Sequence, residues 1–200
     1  MENIKKEFCL SITFDCNWNC SYCVADTHNN NITIKDVLDN IKHIEHGSEV
    51  TITGGEPGLV NESDMELIFQ KLREKECKID ITTNGLFIKK YQKYYNEIES
   101  YLYHCSDKLL DLEIYDDPDN KIEYMIVIDD LNINNLDSFL ENAPIYIRLD
   151  AAYSLMNGKS SLSKKNILNI IKKYKTYIKP EHIKHLTSAY NDLVSAMMLK

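Results

Sequence analysis

The sequence predicts an α/β fold built around a parallel sheet. Strand-like and helix-like segments alternate through the first half of the 200 residues, and three polar or glycine-rich motifs each follow a predicted strand. The composition, 44% hydrophobic and 27% charged, is typical of a globular chain that buries one core. We therefore expect a single domain over residues 1–200.

The first βα unit is predicted from residue periodicity. Apolar side chains alternate with other residues over Phe8–Phe14, which indicates a strand. Apolar residues then recur at helical spacing over Ile34–Ile44, where Thr33 can cap the start of the helix and Gly47 can end it.

The next units follow the same order. Short strands rich in β-branched residues are predicted at Glu49–Thr53 and Lys78–Thr83. Between them, Ser63-Asp64-Met65-Glu66 has the pattern of a capping box and predicts the start of a helix. A tyrosine-rich helix is predicted over Ile88–Tyr103. The first half thus reads βαβαβα.

The second half is less regular. Leu109–Tyr115 and Ile122–Ile128 both resemble strands, but the six residues between them are too few for a parallel crossover. Either the two form an antiparallel hairpin or one assignment is wrong. Further predicted elements are a helix at Asn134–Glu141, a strand at Ile145–Leu149, a helix capped by Ser163 and an amphipathic helix over 180–200.

Charge and hydropathy exclude several classes of protein. The net charge of −8 disfavours a nucleic-acid binder, since phosphate contacts require clustered lysine and arginine. No apolar run is long enough to span a membrane, and the first residues have no apolar signal segment. We expect a cytoplasmic protein whose six cysteines are reduced thiols.

Three motifs fall after the first three predicted strands. They are Cys16-Asn17-Trp18-Asn19-Cys20-Ser21-Tyr22-Cys23, Thr53-Gly54-Gly55-Glu56-Pro57 and Thr82-Thr83-Asn84-Gly85. In parallel α/β folds the loops that follow the strands share one edge of the sheet, where ligands bind. We therefore expect these motifs to meet in one site.

The cysteine motif indicates a metal centre. Three thiolates on one short loop suit soft metals and iron–sulfur clusters. With three cysteine ligands, a four-iron cluster would keep one iron open for a small molecule. The alternative is a structural zinc site completed by His28.

The glycine motif indicates close approach of the backbone to a ligand. Gly54 and Gly55 lack a Cβ that would otherwise clash, and the carboxylate of Glu56 can accept hydrogen bonds from a ligand ammonium group. Pro57 stiffens the turn.

Taken together, these motifs resemble the radical S-adenosylmethionine (radical SAM) superfamily. The C-x3-C-x2-C spacing of Cys16, Cys20 and Cys23 carries the resemblance, with Tyr22 before the third cysteine. The match is close over residues 8–90 and general over 91–179. It implies a partial (β/α)6-type TIM barrel, shortened or irregular around the fourth unit, and a minimal enzyme with one cluster.

The resemblance also implies cofactors and their ligands. Cys16, Cys20 and Cys23 would hold a [4Fe-4S] cluster whose fourth iron chelates S-adenosylmethionine. Reductive cleavage of that cofactor would yield a 5′-deoxyadenosyl radical that abstracts a substrate hydrogen, with an external electron donor such as flavodoxin or ferredoxin. The residues implied to contact S-adenosylmethionine are Tyr22, Thr53, Gly54, Gly55, Glu56, Thr83 and Asn84.

The residues that act on the substrate are harder to assign. Where many members carry a serine or similar polar residue after the fourth strand that contacts the ribose, this chain offers Glu113, Tyr115 and Asp116, and the ribose contact is left unassigned. Arg148 and Asp150 end the last predicted strand and are further candidates. Acidic residues, including Asp116, Asp117, Asp119, Asp129 and Asp130, are expected near the mouth of the barrel, where they would favour a cationic substrate such as a lysine-rich peptide.

Several functions fit the resemblance. We expect a radical enzyme acting on a peptide, protein or natural-product precursor. The alternatives are a small-molecule or nucleobase-modifying enzyme similar to 7-carboxy-7-deazaguanine synthase, a glycyl-radical-enzyme activase, and a catalytically inactive iron–sulfur or zinc-binding module.

Overall fold

The computed structural model describes residues 6–18, 20, 23, 32–105, 114–128, 135–136, 147–151 and 164–174. These residues belong to two compact units. The first takes in the described residues of Met1–Asn19, Ala25–Tyr103 and Tyr115–Ile122, and the second those of Cys20–Val24, His104–Ile114 and Glu123–Lys200.

Parallel strands form the centre of the first unit. β1 (Glu7–Thr13), β2 (Glu49–Gly54), β3 (Lys78–Thr83) and β4 (Ile98–His104) lie side by side in this order. Leu10 pairs with Ile52, which pairs in turn with Ile81, and all three side chains are buried. The strands β1 to β3 confirm the prediction, and their carboxyl ends lie at one edge of the sheet.

Helix α1 (Ile34–His43) begins where the sequence predicts. The Thr33 hydroxyl accepts a hydrogen bond from the amide of Asp36, whose carboxylate accepts one from the Thr33 amide, so the two residues form a capping box. The helix buries Val37 and Ile41. It ends at His43, earlier than the predicted stop at Gly47.

Helix α2 (Glu62–Glu74) begins before the predicted cap. The side chain of Asn61 accepts a hydrogen bond from the amide of Asp64 at 2.9 Å, and Ser63 lies within the helix. The predicted capping box at Ser63 is therefore wrong, because the asparagine two residues earlier already satisfies the free amide. The predicted apolar stripe is confirmed, since Met65, Ile68, Phe69 and Leu72 are buried.

The helix predicted over Ile88–Tyr103 is wrong. The chain forms a short helix α3 (Leu86–Lys90), a 3-10 segment (Gln92–Glu97) and then β4. Tyr101 and Tyr103 are buried on alternate positions, as in a strand, while Leu102 between them is partly exposed. Tyrosine favours strands over helices. The spacing of the tyrosines in this segment fits both the helical and the strand period, so the sequence pattern does not distinguish the two.

The described residues between β4 and β5 are 105 and 114–121, of which 117–120 form a turn closed by the amide of Asn120 and the carbonyl of Asp117. The strand predicted at Leu109–Tyr115 does not extend to Ile114 or Tyr115, and residues 106–113 lie outside the described part of the chain. In the first unit, the amide of Tyr101 donates to the carbonyl of Lys121 at 2.8 Å.

Hydrogen bonds to the carboxylate of Asp117 stabilise the turn that precedes β5. The carboxylate of Asp117 accepts from the hydroxyl of Tyr95 at 2.6 Å and from the amides of Lys121 and Ile122 at 2.8 Å. Tyr95 precedes β4, and Asp117 precedes β5. Asp117 therefore lies beside the amino ends of β4 and β5, and the expectation that Asp116, Asp117 and Asp119 lie near the mouth of the barrel stays a prediction. Asp129 and Asp130 lie outside the described residues.

The second unit contains β5 (Ile122–Ile128) and β6 (Ile147–Ala151), which pair in parallel, and α4 (Lys164–Tyr174). The strand β5 is confirmed, and β6 lies two residues later than predicted. The predicted apolar face of α4 is confirmed at Ile170, Ile171 and Tyr174, which are buried. The helix at Asn134–Glu141, apart from residues 135–136, the Ser163 cap and the helix over 180–200 lie outside the described residues.

None of the helices in the described part of the chain combines the length and the apolar run that a bilayer crossing requires.

Candidate functional site

The carboxyl ends of β1, β2 and β3 bring Cys16, the first residue of the cysteine motif, and parts of the other two motifs into one region of the first unit. In the sheet register Ser11 pairs with Thr53, and Thr13 with Gly54, so the loops that begin at Phe14 and Gly55 leave the sheet side by side. The loop after β3 begins at Asn84. The expected meeting of these loops is what the structure shows for Cys16, Glu56, Thr83 and Asn84.

The two glycines allow the loops after β1 and β2 to touch. The amide of Gly55 donates to the carbonyl of Thr13, and the amide of Glu56 to that of Asp15, both at 2.7 Å. A Cβ on Gly54 would lie 2.1 Å from the Thr13 oxygen, and one on Gly55 would lie 2.1 Å from the Asp15 oxygen. The two glycines therefore allow the loop after β2 to approach the backbone of the loop after β1. The sequence predicted that they allow the approach of a ligand.

The carboxylate of Glu56 is fully buried and ties three segments together. It accepts hydrogen bonds from the amides of Gly58 at 2.8 Å, Asn84 at 2.7 Å and Phe87 at 3.1 Å, and from the hydroxyl of Thr83 at 2.8 Å. Burial raises the pKa of Glu56 above its ordinary value, while these hydrogen bonds act in the opposite direction. The side chain thus has an internal structural function.

Thr83 belongs to the same network. Its hydroxyl donates to Glu56 and accepts from the amides of Gly85 at 3.0 Å and Phe87 at 3.3 Å, and the residue is buried. The hydroxyl is therefore committed to the turn that leads from β3 into α3. Thr53, the residue of β2 that pairs with Ser11, is partly exposed.

Asn84 joins this network to the loop after β1, which contains Cys16 and is called the cysteine loop below. Its side-chain amide nitrogen donates to Asn17 Oδ1 at 2.8 Å and lies 3.7 Å from Cys16 Sγ, in hydrogen-bonding geometry. The amide of Trp18 also donates to Cys16 Sγ, at 3.4 Å. Asn17 was not singled out from the sequence, although a polar residue next to a predicted metal ligand is a usable signal.

The donor set fits an iron–sulfur cluster. Cys16, Cys20 and Cys23 form no disulfide within the described part of the chain, and N–H donors point at the sulfur of Cys16, as they do at thiolate ligands of such clusters. In the second unit the amide of Cys23 donates to the carbonyl of Cys20 at 3.1 Å.

A site for one metal ion is a different arrangement. Among the described residues, no three histidine, cysteine or acidic side chains are grouped to hold such an ion. Each cysteine of an iron–sulfur cubane binds its own iron, so single-ion spacing is not what the cluster requires. His28, the fourth ligand of the zinc alternative, and Tyr22 lie outside the described residues.

The remaining candidates are divided between the two units. The hydroxyl of Tyr115 donates to the carbonyl of Gly85 at 3.2 Å, so Tyr115 adjoins the loop after β3, and Asp116 is exposed next to it. Arg148 and Asp150 are residues of β6 in the second unit. There, burial and then the charge of Arg148 lower the pKa of His104 to about 4.

Comparison with known protein families agrees with the sequence motifs. The Radical SAM superfamily model matches residues 10–128. The chain is 34% identical over 119 residues to a "Probable GTP 3',8-cyclase" from Methanococcus aeolicus, covering 55% of this chain and 40% of that protein. It is 35% identical over 80 residues to an "S-adenosylmethionine-dependent nucleotide dehydratase" from Selenomonas ruminantium, covering 38% and 28%.

The fold is shared with solved structures. "Native anSMEcpe with bound AdoMet" superposes with a TM-score of 0.59 at 14% identity, covering 87% of this chain and 64% of that one. This likeness confirms the predicted fold class, the α/β partial barrel. The chain itself spans about two fifths or less of the length of the two curated relatives named above.

Superfamily membership implies an iron–sulfur cluster, S-adenosylmethionine, a substrate and an external source of electrons. The expectation of an enzyme of this class is confirmed by the matching family model and by the curated relatives. From the match over residues 10–128, the chain belongs to the radical SAM superfamily.

Proposed function

We propose that Cys16, Cys20 and Cys23 hold a [4Fe-4S] cluster whose fourth iron binds S-adenosylmethionine. The single observation that carries this proposal is the junction of the cysteine loop with the loops after β2 and β3, made by Asn84 and the two glycines. When bound and reduced, the cluster supplies the electron that cleaves the cofactor to methionine and a 5′-deoxyadenosyl radical.

We propose that the loop after β2 contacts the methionine end of the cofactor through its backbone. Glu56 is fully buried and already accepts four internal hydrogen bonds, whereas Gly54 and Gly55 are partly exposed. The contact predicted for the Glu56 carboxylate is therefore reassigned to the two glycines. Tyr22, Thr53, Thr83 and Asn84 stay proposed members of the cofactor site.

For the substrate, we propose a nucleotide. Both curated relatives bear names of nucleotide-modifying enzymes, at 34% and 35% identity. This favours the small-molecule alternative over a peptide or natural-product precursor. The solved structures share the fold at low identity and carry no argument about the substrate. The peptide substrate, the activase and a flavodoxin or ferredoxin as electron donor stay predictions.

The cofactor proposal is tested by anaerobic reconstitution with iron and sulfide. We expect about four irons per chain, a brown chromophore and 5′-deoxyadenosine on addition of dithionite and S-adenosylmethionine. Cys16→Ala is expected to lose all three. Cys77→Ala is the matched control, because Cys77 lies beside the carbonyls of Glu45 and Lys75 and precedes β3, whereas Cys16 contacts Asn84, which follows β3. A colourless wild-type protein, or one that leaves the cofactor intact, contradicts the proposal.

The substrate proposal is tested with the reconstituted enzyme and a panel of deuterated nucleoside triphosphates. We expect one of them to accelerate cofactor cleavage and to transfer deuterium into 5′-deoxyadenosine. A lysine-rich peptide serves as the competing probe. Deuterium transfer from the peptide, with none from any nucleotide, overturns the nucleotide assignment and leaves the cofactor site standing.

A further inference from the structure

The side chain of Asn84 contacts a proposed cluster ligand directly. Its amide nitrogen lies 3.7 Å from Cys16 Sγ and 2.8 Å from Asn17 Oδ1. An amide group has two N–H donors, so it can make both contacts at once. These bonds link the loop after β3 to the loop that carries the first cysteine.

The orientation of this amide is determined by its other contacts. Asn84 Oδ1 accepts a hydrogen bond from the amide of Leu86, at the start of α3, at 3.3 Å. With the oxygen turned toward an N–H donor, the nitrogen must face the cysteine loop. The reverse orientation would place N–H against N–H at Leu86 and oxygen against oxygen at Asn17.

The backbone of Asn84 is also fixed. Its amide donates to the buried carboxylate of Glu56 at 2.7 Å, and the preceding residue, Thr83, donates its hydroxyl to the same carboxylate. The nitrogen that faces Cys16 therefore projects from a turn that is anchored in the core. A donor held in this way loses little conformational freedom when it bonds to sulfur.

We infer that Asn84 is a positioning residue that donates an N–H···S hydrogen bond to Cys16 and thereby raises the reduction potential of the cluster. The inference rests on the proposed function, since it assumes that Cys16 binds iron. Reduction adds negative charge to the cluster and its sulfurs, so a hydrogen bond to sulfur is stronger in the reduced state. Removing the donor therefore destabilises the reduced cluster more than the oxidised one.

The experiment compares midpoint potentials of reconstituted wild-type protein and three variants by redox titration monitored by electron paramagnetic resonance. Asn84→Ala removes the donor. We expect its one-electron reduction equilibrium to weaken about tenfold, which corresponds to a potential about 59 mV more negative. Asn84→Asp keeps an oxygen for the Leu86 amide but replaces the donor by a negative charge, and we expect a larger shift in the same direction.

Asn17→Ala is the matched control. It removes the partner of Asn84 in the cysteine loop while leaving the donor to Cys16 in place, so we expect a smaller shift than for Asn84→Ala. A second readout is selective labelling with ¹⁵N-asparagine. The reduced wild-type cluster should show a hyperfine coupling to an asparagine nitrogen that persists in Asn17→Ala and is lost in Asn84→Ala.

The possible outcomes separate this inference from the proposed function. If wild type and Asn84→Ala bind the same amount of iron and have equal potentials, or if the nitrogen coupling survives in Asn84→Ala, the inference is overturned and the cluster assignment stands. If wild type binds no cluster, the proposed function itself fails. A variant with less iron is titrated on its loaded fraction, because the potential does not depend on occupancy.

Discussion

Two carboxylates in the first unit, Glu56 and Asp117, perform the same task at different places and at different depths. Glu56 follows β2, is fully buried, and accepts hydrogen bonds from three backbone amides and a threonine hydroxyl. Asp117 precedes β5, is partly exposed, and accepts from two backbone amides and the hydroxyl of Tyr95. The sequence indicated a ligand contact for one and a substrate contact for the other, whereas each holds a loop in place.

The difference between them is the exposure of the carboxylate to water. Donors that lose Asp117 can turn to solvent, whereas donors that lose Glu56 stay buried and unsatisfied. We therefore expect Glu56 to contribute more to the free energy of unfolding than Asp117 does.

The largest effect is expected for Glu56→Ala. It leaves several buried donors without an acceptor, and we expect the free energy of unfolding to fall by about 4 kcal/mol. Urea unfolding followed by circular dichroism measures it. Glu45→Ala is the control, because Glu45 makes an exposed ion pair with Lys6 and should cost less than about 1 kcal/mol. If Glu56→Ala lowers the free energy of unfolding no more than Glu45→Ala does, the hydrogen bonds to Glu56 add little to stability.

Next is Gly55→Ala, which tests whether the same edge of the sheet depends on close backbone contact. The new Cβ would lie 2.1 Å from the Asp15 carbonyl oxygen, so the loops must separate, at a cost of about 3 kcal/mol. Gly47→Ala is the control. Gly47 has a φ of +74° but open space around it, so only backbone strain of about 1 kcal/mol is expected. Equal midpoints in urea for the two variants would contradict the contact.

A smaller effect is expected for Asp117→Ala, about 1.5 kcal/mol, because its donors can reach water. The neighbouring Asp119 is exposed, and its carboxylate is 4.0 Å from the ammonium group of Lys121, so Asp119→Ala should change stability by less than about 0.5 kcal/mol. A loss for Asp117→Ala as large as that for Glu56→Ala would remove the distinction between the two carboxylates.

The pH dependence of stability gives the finest test. Because burial raises the pKa of Glu56 in the folded protein, the unfolded chain releases this proton at lower pH than the folded one. The contribution of this ionisation to stability is therefore greatest below the ordinary glutamate pKa and falls as pH rises through the raised value. Urea midpoints of wild type and Glu56→Gln, compared from pH 4 upward, isolate this contribution. We expect the midpoint of the wild type to fall relative to that of Glu56→Gln as pH rises, and a relative increase would contradict the predicted sign.

The sequence predicted correctly those elements whose pattern of apolar residues fits either the strand period or the helical period, but not both. The strands β1 to β3 and the cap of α1 are of this kind. The strand β4 was missed because Tyr91, Tyr94 and Tyr95 continue a helical spacing into a segment where Tyr101 and Tyr103 alternate. Only packing of these rings in the core decides between the two.

The site was predicted unevenly for a related reason. The cysteine spacing is a property of side chains, so it is visible in the sequence. The donors to Glu56 are mainly backbone amides of Gly58, Asn84 and Phe87, which almost any residue would supply. No residue pattern records them, and so the internal function of Glu56 appeared only in the structure.

The main-chain link between the first two loops also has a practical consequence for engineering. Because the carbonyls of Thr13 and Asp15 make this link, the side chains of Phe14 and Asp15 take no part in it. Directed evolution at these two positions can therefore vary the side chains that precede Cys16 in the chain without removing the main-chain hydrogen bonds that anchor its loop.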